Sequence, residues 1–272
     1  PNTAPHSCSR ISPYLTWGCV SMREVVQFVR EAQADTLPAR SKRAFLSRCH
    51  WHCHFVQKLE DEPEIEFFSF NRISDSLRPE TDLTRSRLEA WQEGRTGYPM
   101  IDACMRFLRA NGWINFRMRA LLVSFAAYHL WIDWRLFKDF LARQFVDYEP
   151  GIHFSQLQMQ SGVTGINTLR MYNPVKQGLD HDPEGTFIRE WVPELKRLDL
   201  PDLHTPWDIP EMIAHSIHFT PGKDYPLPIV DHASAIRQAR AAFANLRKQP
   251  AFRQAAQSVY RKHGSRSPNR QA

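Results

Sequence analysis

Apolar residues recur every three or four positions along most of this chain, and this spacing constrains its fold more than any other feature. Ser21 and Glu24 form a capping-box pattern at the start of one such stretch. The same spacing predicts amphipathic helices over residues 113–130 and 134–145. No stretch alternates apolar and polar residues convincingly, as a half-buried strand does. The sequence therefore predicts an all-α fold for its 272 residues.

Turn residues divide the chain along its length. Thr96-Gly97-Tyr98-Pro99 predicts the start of a helix, and Asn111-Gly112 predicts its end. Residues 71–87 are mostly polar and predict a surface loop, whereas the glycines and amides of residues 147–173 predict functional loops with short helices. Prolines between residues 199 and 230 predict a connector. We therefore expect a helical domain over residues 1–230, a helical extension over 231–260 and a basic, flexible tail over 261–272.

The charge balance and the cysteines limit the classes of function. Thirty-five Lys and Arg residues against 29 Asp and Glu residues give a net charge of +6, which permits a polyanionic partner without requiring one. Five cysteines are an odd number in a sequence without a recognisable export signal, so we expect free thiols in the cytoplasm. No apolar run has the length of a membrane-spanning helix. Because the chain begins with Pro1 instead of Met, the question of whether a domain precedes it stays open.

Several short motifs follow one another in a fixed order, and together they are more specific than any one alone. They are Ser9-Arg10-Ile11-Ser12-Pro13-Tyr14-Leu15-Thr16-Trp17-Gly18, Thr96-Gly97-Tyr98-Pro99, Asp102-Ala103-Cys104-Met105-Arg106, Gly112-Trp113, Arg117-Met118-Arg119, Ile132-Asp133-Trp134-Arg135, Asn173-Pro174-Val175-Lys176-Gln177 and Phe187-Ile188-Arg189-Glu190-Trp191. Their order and spacing over roughly residues 9–195 resemble the FAD-binding helical domain of the photolyase and cryptochrome family. The resemblance implies an all-α, multi-helical FAD-binding domain, without the family's N-terminal α/β antenna domain.

The first motif has the chemistry of a phosphate-binding segment. Ser9-Arg10-Ile11-Ser12 offers two hydroxyls, consecutive amides and a guanidinium, which suit a pyrophosphate. The alternative is an ordinary turn whose hydroxyls cap the helix after Pro13. The resemblance implies that this segment holds the FAD phosphates.

The resemblance also assigns residues to the flavin ring. Arg119 and Asp147 match an ion pair beside the flavin, and the alternative is a surface salt bridge. His153 stands where the family has the residue that faces flavin N5, and an imidazole titrating near neutral pH could exchange a proton there; the alternative is a His that is merely hydrogen-bonded. His153 is itself a departure from the family's usual residues there. Glu149 likewise stands where the family usually has Asp, His52 where it has an Arg that contacts FAD, and Phe116 where Asn is typical. The implied cofactor-binding set is Ser9, Arg10, Ile11, Ser12, His52, Phe116, Arg119, Asp147, Glu149 and His153.

The family's usual chain of three tryptophans for electron transfer is incomplete in this sequence. Trp134 matches the middle tryptophan, whereas Leu157 and Thr81 stand at the other two positions. Other aromatic residues offer a different route, or they simply fill the core. These residues are Trp51, Trp113 and Trp131. The implied catalytic set is Trp51, Trp134 and His153.

The positions that match the family's DNA-contacting surface are also altered. Trp51 matches one of two tryptophans that hold a flipped-out pyrimidine dimer, and Met159 replaces the other. Arg48 stands where the family has a Glu, while Arg117 and Arg170 match positions that meet the DNA backbone. The resemblance therefore implies DNA contacts through these five residues, and it supports DNA binding better than dimer chemistry.

A metal site is not predicted. Cys49 and Cys53, like His50 and His54, are spaced for one face of a helix. Two ligands from one face do not complete a structural zinc site, and no second pair follows at a characteristic spacing. The alternative is a helix that lines the flavin pocket.

Three hypotheses of function follow from these residues. The first is a photolyase-like lyase that splits pyrimidine dimers in DNA under blue light, with reduced FAD as the electron source. The second is a cryptochrome-type light or redox sensor without repair, which Arg48, Met159 and Leu157 favour. The third is a flavin-free helical protein that binds nucleic acid, to which His52 and Phe116 lend weight.

Overall fold

Helices make up nearly all regular secondary structure in the computed structural model, which describes residue 2 and residues 4–32, 38–200 and 202–264. The α-helices are α1 (Ala4–Ser7), α2 (Ser12–Thr16), α3 (Met22–Glu31), α4 (Ala39–Asp61), α5 (Asp82–Glu93), α6 (Pro99–Asn111), α7 (Phe116–Ser124), α8 (Trp134–Gln144), α9 (Pro150–Ser161), α10 (Pro174–His181), α11 (Thr186–Trp191), α12 (Glu211–Ser216), α13 (His232–Lys248) and α14 (Pro250–His263). Short 3-10 turns cover Pro63–Glu66, Arg72–Ser76, Pro193–Leu195 and Asp202–His204. Across these ranges the only β pairing is one isolated bridge between Pro221 and Tyr225, so the all-α prediction is confirmed.

The predicted boundary signals act as expected at α3 and α6. The Ser21 amide donates to Glu24 Oε2 at 2.7 Å, and the Glu24 amide donates to Ser21 Oγ at 3.2 Å. Pro99 opens α6, and Gly112 follows its last residue with a φ of +65°. These local bonds satisfy backbone groups that a helix end leaves unpaired.

The helix predicted over residues 113–130 is shorter and changes its winding. Regular α7 ends at Ser124, and Phe125–His129 form a π-helical turn in which the Leu130 amide bonds to Phe125 O at 3.1 Å. The His129 ring stacks on the Phe125 ring inside this turn. Apolar spacing alone does not distinguish an α-turn from a π-turn, because both bury the same side chains.

Two stretches contain more helix than predicted, one expected to be loops with short helices and the other a surface loop. Residues 147–173 hold the twelve-residue helix α9, with Pro150 in its first turn and Gly162 at its end with a φ of +78°. The amide of Gln158 does not face solvent, because it donates to Ile65 O at 2.8 Å and accepts from the Phe70 amide at 2.6 Å. Within the polar residues 71–87, α5 already begins at Asp82.

Helices α4 and α9 approach each other closely. A Cβ on Gly151 would lie 2.6 Å from Val56 Cα, so the absence of a side chain allows the two backbones to meet. This contact places α4 beside the polar residues of α9, where the candidate site lies.

The turn before α6 attaches the proline-rich connector to the core. Buried Asp102 accepts hydrogen bonds from the amides of Thr96 and Gly97 and from the Tyr225 hydroxyl. The Ile229 amide donates to Thr96 O at 3.0 Å. The connector therefore packs against the helical domain over residues that are far apart in the sequence.

A second hydrophobic cluster joins α13 to the π-helical turn. Phe243 packs against Tyr128, and both side chains are buried. Beneath them lies the buried guanidinium of Arg78, which donates to Ala127 O and Ser161 O at 2.8 Å each. Its carbon is 5.4 Å from the Phe243 ring centre. Burial lowers the pKa of Arg78 to about 10, yet the side chain stays charged at neutral pH.

None of the described helices is both long and apolar enough to cross a membrane. The predicted tail is partly helical, because α14 continues through Arg261, Lys262 and His263. Residues 265–272 lie outside the described residues.

Candidate functional site

A cavity of about 250 Å³ lies between α7, α8 and α9. Six of the ten residues predicted to bind the cofactor line it: Ser12, Phe116, Arg119, Asp147, Glu149 and His153. Ser9, Arg10, Ile11 and His52 do not line it. Apolar side chains such as Leu141 and Leu157 complete the wall, as is typical of small-molecule sites.

A buried carboxylate organises one wall of this cavity. Arg119 Nη2 donates to both oxygens of Asp147, at 2.9 and 2.7 Å, and Arg119 Nε donates to Ile114 O at 2.8 Å. The Ser12 hydroxyl donates to Asp147 Oδ2 at 2.6 Å. The guanidinium carbon is 4.2 Å from the Phe145 ring centre. The alternative of a surface salt bridge does not apply, because Asp147 is buried and the pair faces the cavity.

The N-terminal motif contributes to this wall through Ser12 alone. Its hydroxyl bonds to Asp147, and no side chain caps α2, so the alternative of a helix-capping turn is not what forms. Ser9 and Arg10 are exposed, and the Arg10 guanidinium lies 4.9 Å from the ring centre of Trp113. Trp17 Nε1 donates to Val146 O at 2.9 Å. Ser12 and Trp17 thus attach α2 to the segment that leads into α9.

His153 is buried and neutral. Its Nε2 donates to Lys138 O at 2.9 Å, because a carbonyl can only accept, which leaves Nδ1 as an acceptor. The pKa of His153 is lowered to about 4, chiefly by burial; the hydrogen bond to Lys138 O opposes this shift, and the positive charges of Arg119 and Lys138 add to it. The expectation that this imidazole titrates near neutral pH is therefore wrong for the protein without ligand. Its orientation is fixed by the rings of Phe145, Tyr148 and Phe154.

Two glutamines at the cavity were missed by the sequence analysis. Gln156 Oε1 and both amide atoms of Gln160 are buried without a hydrogen-bond partner among the described residues. His52 Nδ1 is likewise unpaired, and burial lowers the pKa of His52 while the charge of Glu149 opposes this. Unpaired buried polar atoms are costly, so these atoms indicate a ligand with matching donors and acceptors. The available signal was the four-residue spacing of Gln156 and Gln160 on one helix face.

The residues predicted to contact DNA lie outside this cavity. Arg48, Arg117 and Arg170 are exposed, and Arg117 lies over the Tyr172 ring at 5.9 Å. Trp51 is 41% exposed and packs against Phe55, with 5.6 Å between ring centres. Met159 is half-buried and borders a separate small cavity that Phe55 also lines. Phe55 therefore contacts Trp51 and shares the small cavity with Met159.

The aromatic residues predicted for electron transfer are widely distributed. Trp134 is fully buried and its Nε1 donates to Ser69 Oγ at 3.1 Å, but it does not line the cavity. Leu157 lines the cavity and Thr81 caps α5 at the surface. Among the three alternative tryptophans, Trp113 is the one on the cavity wall.

The cysteine and histidine pairs of α4 gain no further ligands. Cys49 is buried and Cys53 exposed, and all five cysteines are free thiols. Within the described ranges no three His, Cys, Asp or Glu side chains converge in a way that could hold a metal ion.

Comparisons with known proteins agree with this fold. The family model described as the FAD binding domain of DNA photolyase matches residues 45–245. A deoxyribodipyrimidine photo-lyase of Alkalihalophilus pseudofirmus is 33% identical over 240 residues, which cover 86% of this chain and 48% of that protein. Cryptochrome DASH of Danio rerio is 30% identical over 224 residues, which cover 82% of this chain and 42% of that protein.

A solved structure shows the same architecture. The crystal structure of a bacterial class III photolyase from Agrobacterium tumefaciens superposes with a TM-score of 0.82 at 31% identity, over 90% of this chain and 50% of that one. The fold is that of a multi-helical domain with a cavity between α7, α8 and α9. The chain belongs to the family of FAD-binding domains of DNA photolyases. It spans about half the length of the curated relatives that it matches.

Proposed function

We propose that this domain binds FAD in the cavity between α7, α8 and α9. The observation that carries the proposal is the ion pair of half-buried Arg119 with buried Asp147, beside the unpaired amide oxygen of Gln156 and the unpaired amide of Gln160. A flavin ring carries both N–H donors and carbonyl acceptors on an otherwise apolar plane, and this wall offers partners of both kinds. The donor set therefore fits the group.

The residues of this chain have separate tasks in the proposed site. When bound, FAD supplies absorption of blue light and one-electron transfer. Arg119 holds a fixed positive charge at the wall, and the bonds of Asp147 keep that charge in place. His153 keeps its proton on Nε2, because Lys138 O accepts it there. Leu141 and Leu157 exclude water from the same space.

For the whole protein we propose a photolyase-like lyase that splits pyrimidine dimers in DNA under blue light. Three of the relatives it matches carry the name deoxyribodipyrimidine photo-lyase. The exposed Arg48, Arg117 and Arg170 and the net charge of +6 support DNA as the partner, with Trp51 at the lesion. The free cysteines support a cytoplasmic location.

The second candidate is a light or redox sensor that binds FAD without repairing DNA. Leu157 at the cavity and half-buried Met159 favour it, because neither side chain can carry an electron or stack on a base as tryptophan does. The chain is also 30% identical to Cryptochrome DASH of Danio rerio over 224 residues.

The binding proposal is tested by incubating the purified chain with FAD, removing the excess and recording the visible absorption spectrum. A retained flavin band is expected. Arg119→Ala should retain at least about tenfold less FAD, since a charge-assisted bond is worth on the order of 2 kcal/mol. Gln160→Leu should also lose FAD without losing stability, because its amide has no internal partner to lose. Arg85→Ala, at an exposed ion pair, is the matched control.

The outcomes separate the hypotheses. Normal FAD retention by Arg119→Ala and Gln160→Leu would show that the site is wrongly placed. A wild-type chain that stays colourless would favour a flavin-free protein. If FAD is retained, blue light on an oligonucleotide with a thymine dimer should restore intact thymines, whereas the dark control should not. Retained FAD without repair favours the sensor.

A further inference from the structure

A cleft of about 400 Å³ lies between α4 and the end of α14, apart from the proposed FAD cavity. One face of α4 supplies Trp51, His54 and Lys58 at helical spacing, and α14 supplies Lys262 and His263. None of these five residues lines the FAD cavity, so the cleft is a separate space. Its volume is in the range of small-ligand sites.

The amine of Lys58 is partly removed from water and has no acidic partner. Its Nζ lies 5.2 Å from the ring centre of Phe55 and 5.7 Å from that of Phe70. None of the described carboxylates forms an ion pair with it. Burial lowers the pKa of Lys58 to about 8, because the charged form loses hydration. Near neutral pH, a far larger fraction of this amine is therefore uncharged than of an exposed lysine.

The two carboxylates at the end of α4 do not neutralise Lys58. Glu62 accepts hydrogen bonds from Lys262 at 3.0 Å and from His263 at 2.8 Å, so both of these contacts are to α14. Asp61 lines the cleft but lies beyond ion-pairing distance of Lys58. The amine therefore lacks the close negative charge that would raise its pKa.

The basic groups around Lys58 also favour its uncharged form. Burial lowers the pKa of His54, and the charges of Lys58 and His263 lower it further. His50 and Lys262 line the same cleft. A lysine that is desolvated and close to other cationic groups has the properties of an amine nucleophile, because only the uncharged amine can attack a carbonyl carbon.

The cleft also offers a flat apolar surface. Trp51 is 41% exposed, and its ring centre lies 5.6 Å from that of Phe55. Phe55 in turn lies beside Lys58 Nζ. A planar ring packed against Trp51 would therefore occupy the same space as the amine.

We propose that Lys58 forms an imine with a small aromatic aldehyde bound in this cleft, with the aldehyde ring against Trp51. The uncharged Nζ attacks the carbonyl carbon to form a C–N bond, and one proton moves from nitrogen to the carbonyl oxygen. The hydroxyl group and the remaining N–H proton then leave as water, and a C=N bond forms. The step consumes no oxidant or reductant. It requires neither FAD nor DNA, so the proposal goes beyond the proposed function and does not depend on it.

The test treats the full chain with salicylaldehyde, reduces the imine to a stable secondary amine with borohydride, and quantifies each modified lysine by peptide mass spectrometry. At pH 7.5 about a quarter of an amine with a pKa of about 8 is uncharged, against about a thousandth of an ordinary lysine. Lys58 should therefore be labelled at least about tenfold faster than exposed Lys223, which is the internal control. Labelling of Lys58 no faster than that of Lys223 would overturn the proposal.

The pH dependence of labelling supplies a second readout that needs no variant. The rate at Lys58 should reach half its maximum near pH 8, whereas the rate at Lys223 should still be rising at pH 9. If the two lysines give the same pH profile, Lys58 is an ordinary ammonium and the proposal fails.

The aromatic character of the aldehyde is tested through Trp51. Trp51→Leu should slow labelling of Lys58 by salicylaldehyde about threefold, because the stacking face is lost, and should leave labelling by propanal unchanged. Phe28→Leu, at an exposed aromatic residue of α3, is the matched control and should leave both rates unchanged. Unchanged labelling by salicylaldehyde in Trp51→Leu, or equal slowing with both aldehydes, would contradict the aromatic assignment.

Discussion

The imidazole of His153 is buried, and its Nε2 donates a hydrogen bond to Lys138 O. Its lowered pKa has an energetic consequence beyond the proposed site. The folded protein holds this group neutral down to about pH 4, whereas the unfolded chain protonates it near pH 6.5. The unfolded state therefore binds more protons between these values, and stability falls as the pH drops through that window.

His153→Gln should make the free energy of unfolding less dependent on pH. The glutamine amide can still donate to Lys138 O but does not titrate. In the wild type without FAD, this one group should lower the free energy of unfolding by about 2 kcal/mol between pH 7 and pH 5. Urea unfolding at the two pH values measures the change in each protein. Parallel pH dependences in the variant and the wild type would mean that His153 is protonated in the folded state.

Between helices, the turn before α6 shows how a small element determines where a long connector lies. Gly97 has a φ of +79°, and a Cβ at this position would overlap the backbone of Leu227 and Pro228. A side chain at this position would be strained by the left-handed backbone and would also be too close to the neighbouring chain. The Gly97 amide also donates to Asp102 of α6. The positions of the connector and of α6 therefore both depend on a residue without a Cβ.

Gly97→Ala should lower the free energy of unfolding by about 3 kcal/mol. The left-handed backbone costs an alanine about 1–2 kcal/mol, and the overlap with Leu227 O adds a comparable amount. Gly18→Ala is the control, because Gly18 has a φ of +70° with no atom within 4 Å of its added Cβ. In Gly18→Ala the free energy of unfolding should fall only by the cost of the left-handed backbone. Equal losses in the two variants would show that the connector moves away without cost.

The same elements show what a sequence can predict. The limits of α3 and α6 follow from Ser21, Pro99 and Gly112, because these signals act within one helical turn. The length of helix α9 was underestimated because Gln158 resembles a solvated residue, although its partners lie about ninety positions away in sequence. Arg119 and Asp147 were identifiable from a family motif. The spacing of Gln156 and Gln160 places them on one helix face, but it does not identify them as site residues. Their burial without a hydrogen-bond partner is a property of packing, which the sequence does not show.

At the scale of the whole molecule, the C-terminal helices cover the charge of the buried Arg78 guanidinium. Arg78 has carbonyl partners and aromatic rings around it but no carboxylate within ion-pairing distance among the described residues. Helix α13 closes this site through Phe243. We propose that residues 1–230 form the FAD-binding domain and that 231–260 are an extension whose packing keeps water from Arg78.

Phe243→Ala should therefore lower the free energy of unfolding by about 3–5 kcal/mol, the usual cost of a buried phenylalanine. Phe28→Ala, on exposed α3, should change it by less than about 0.5 kcal/mol. Urea denaturation of both variants gives the comparison. A loss at Phe243 no greater than that at Phe28 would mean that α13 does not contribute to the stability of the core.

The attachment of α2 affects how often the cavity wall at Ser12 moves. Ser12 and Trp17 hold this segment against Asp147 and Val146, so the segment detaches only when both bonds break. The exposed Trp17 bond is worth about 1 kcal/mol, whereas the Ser12 bond to a carboxylate is stronger. Both must break together, so opening is rare compared with thermal motion of a free loop. A wall that seldom moves presents its side chains to a ligand already in place, so little conformational entropy is lost there when a ligand binds.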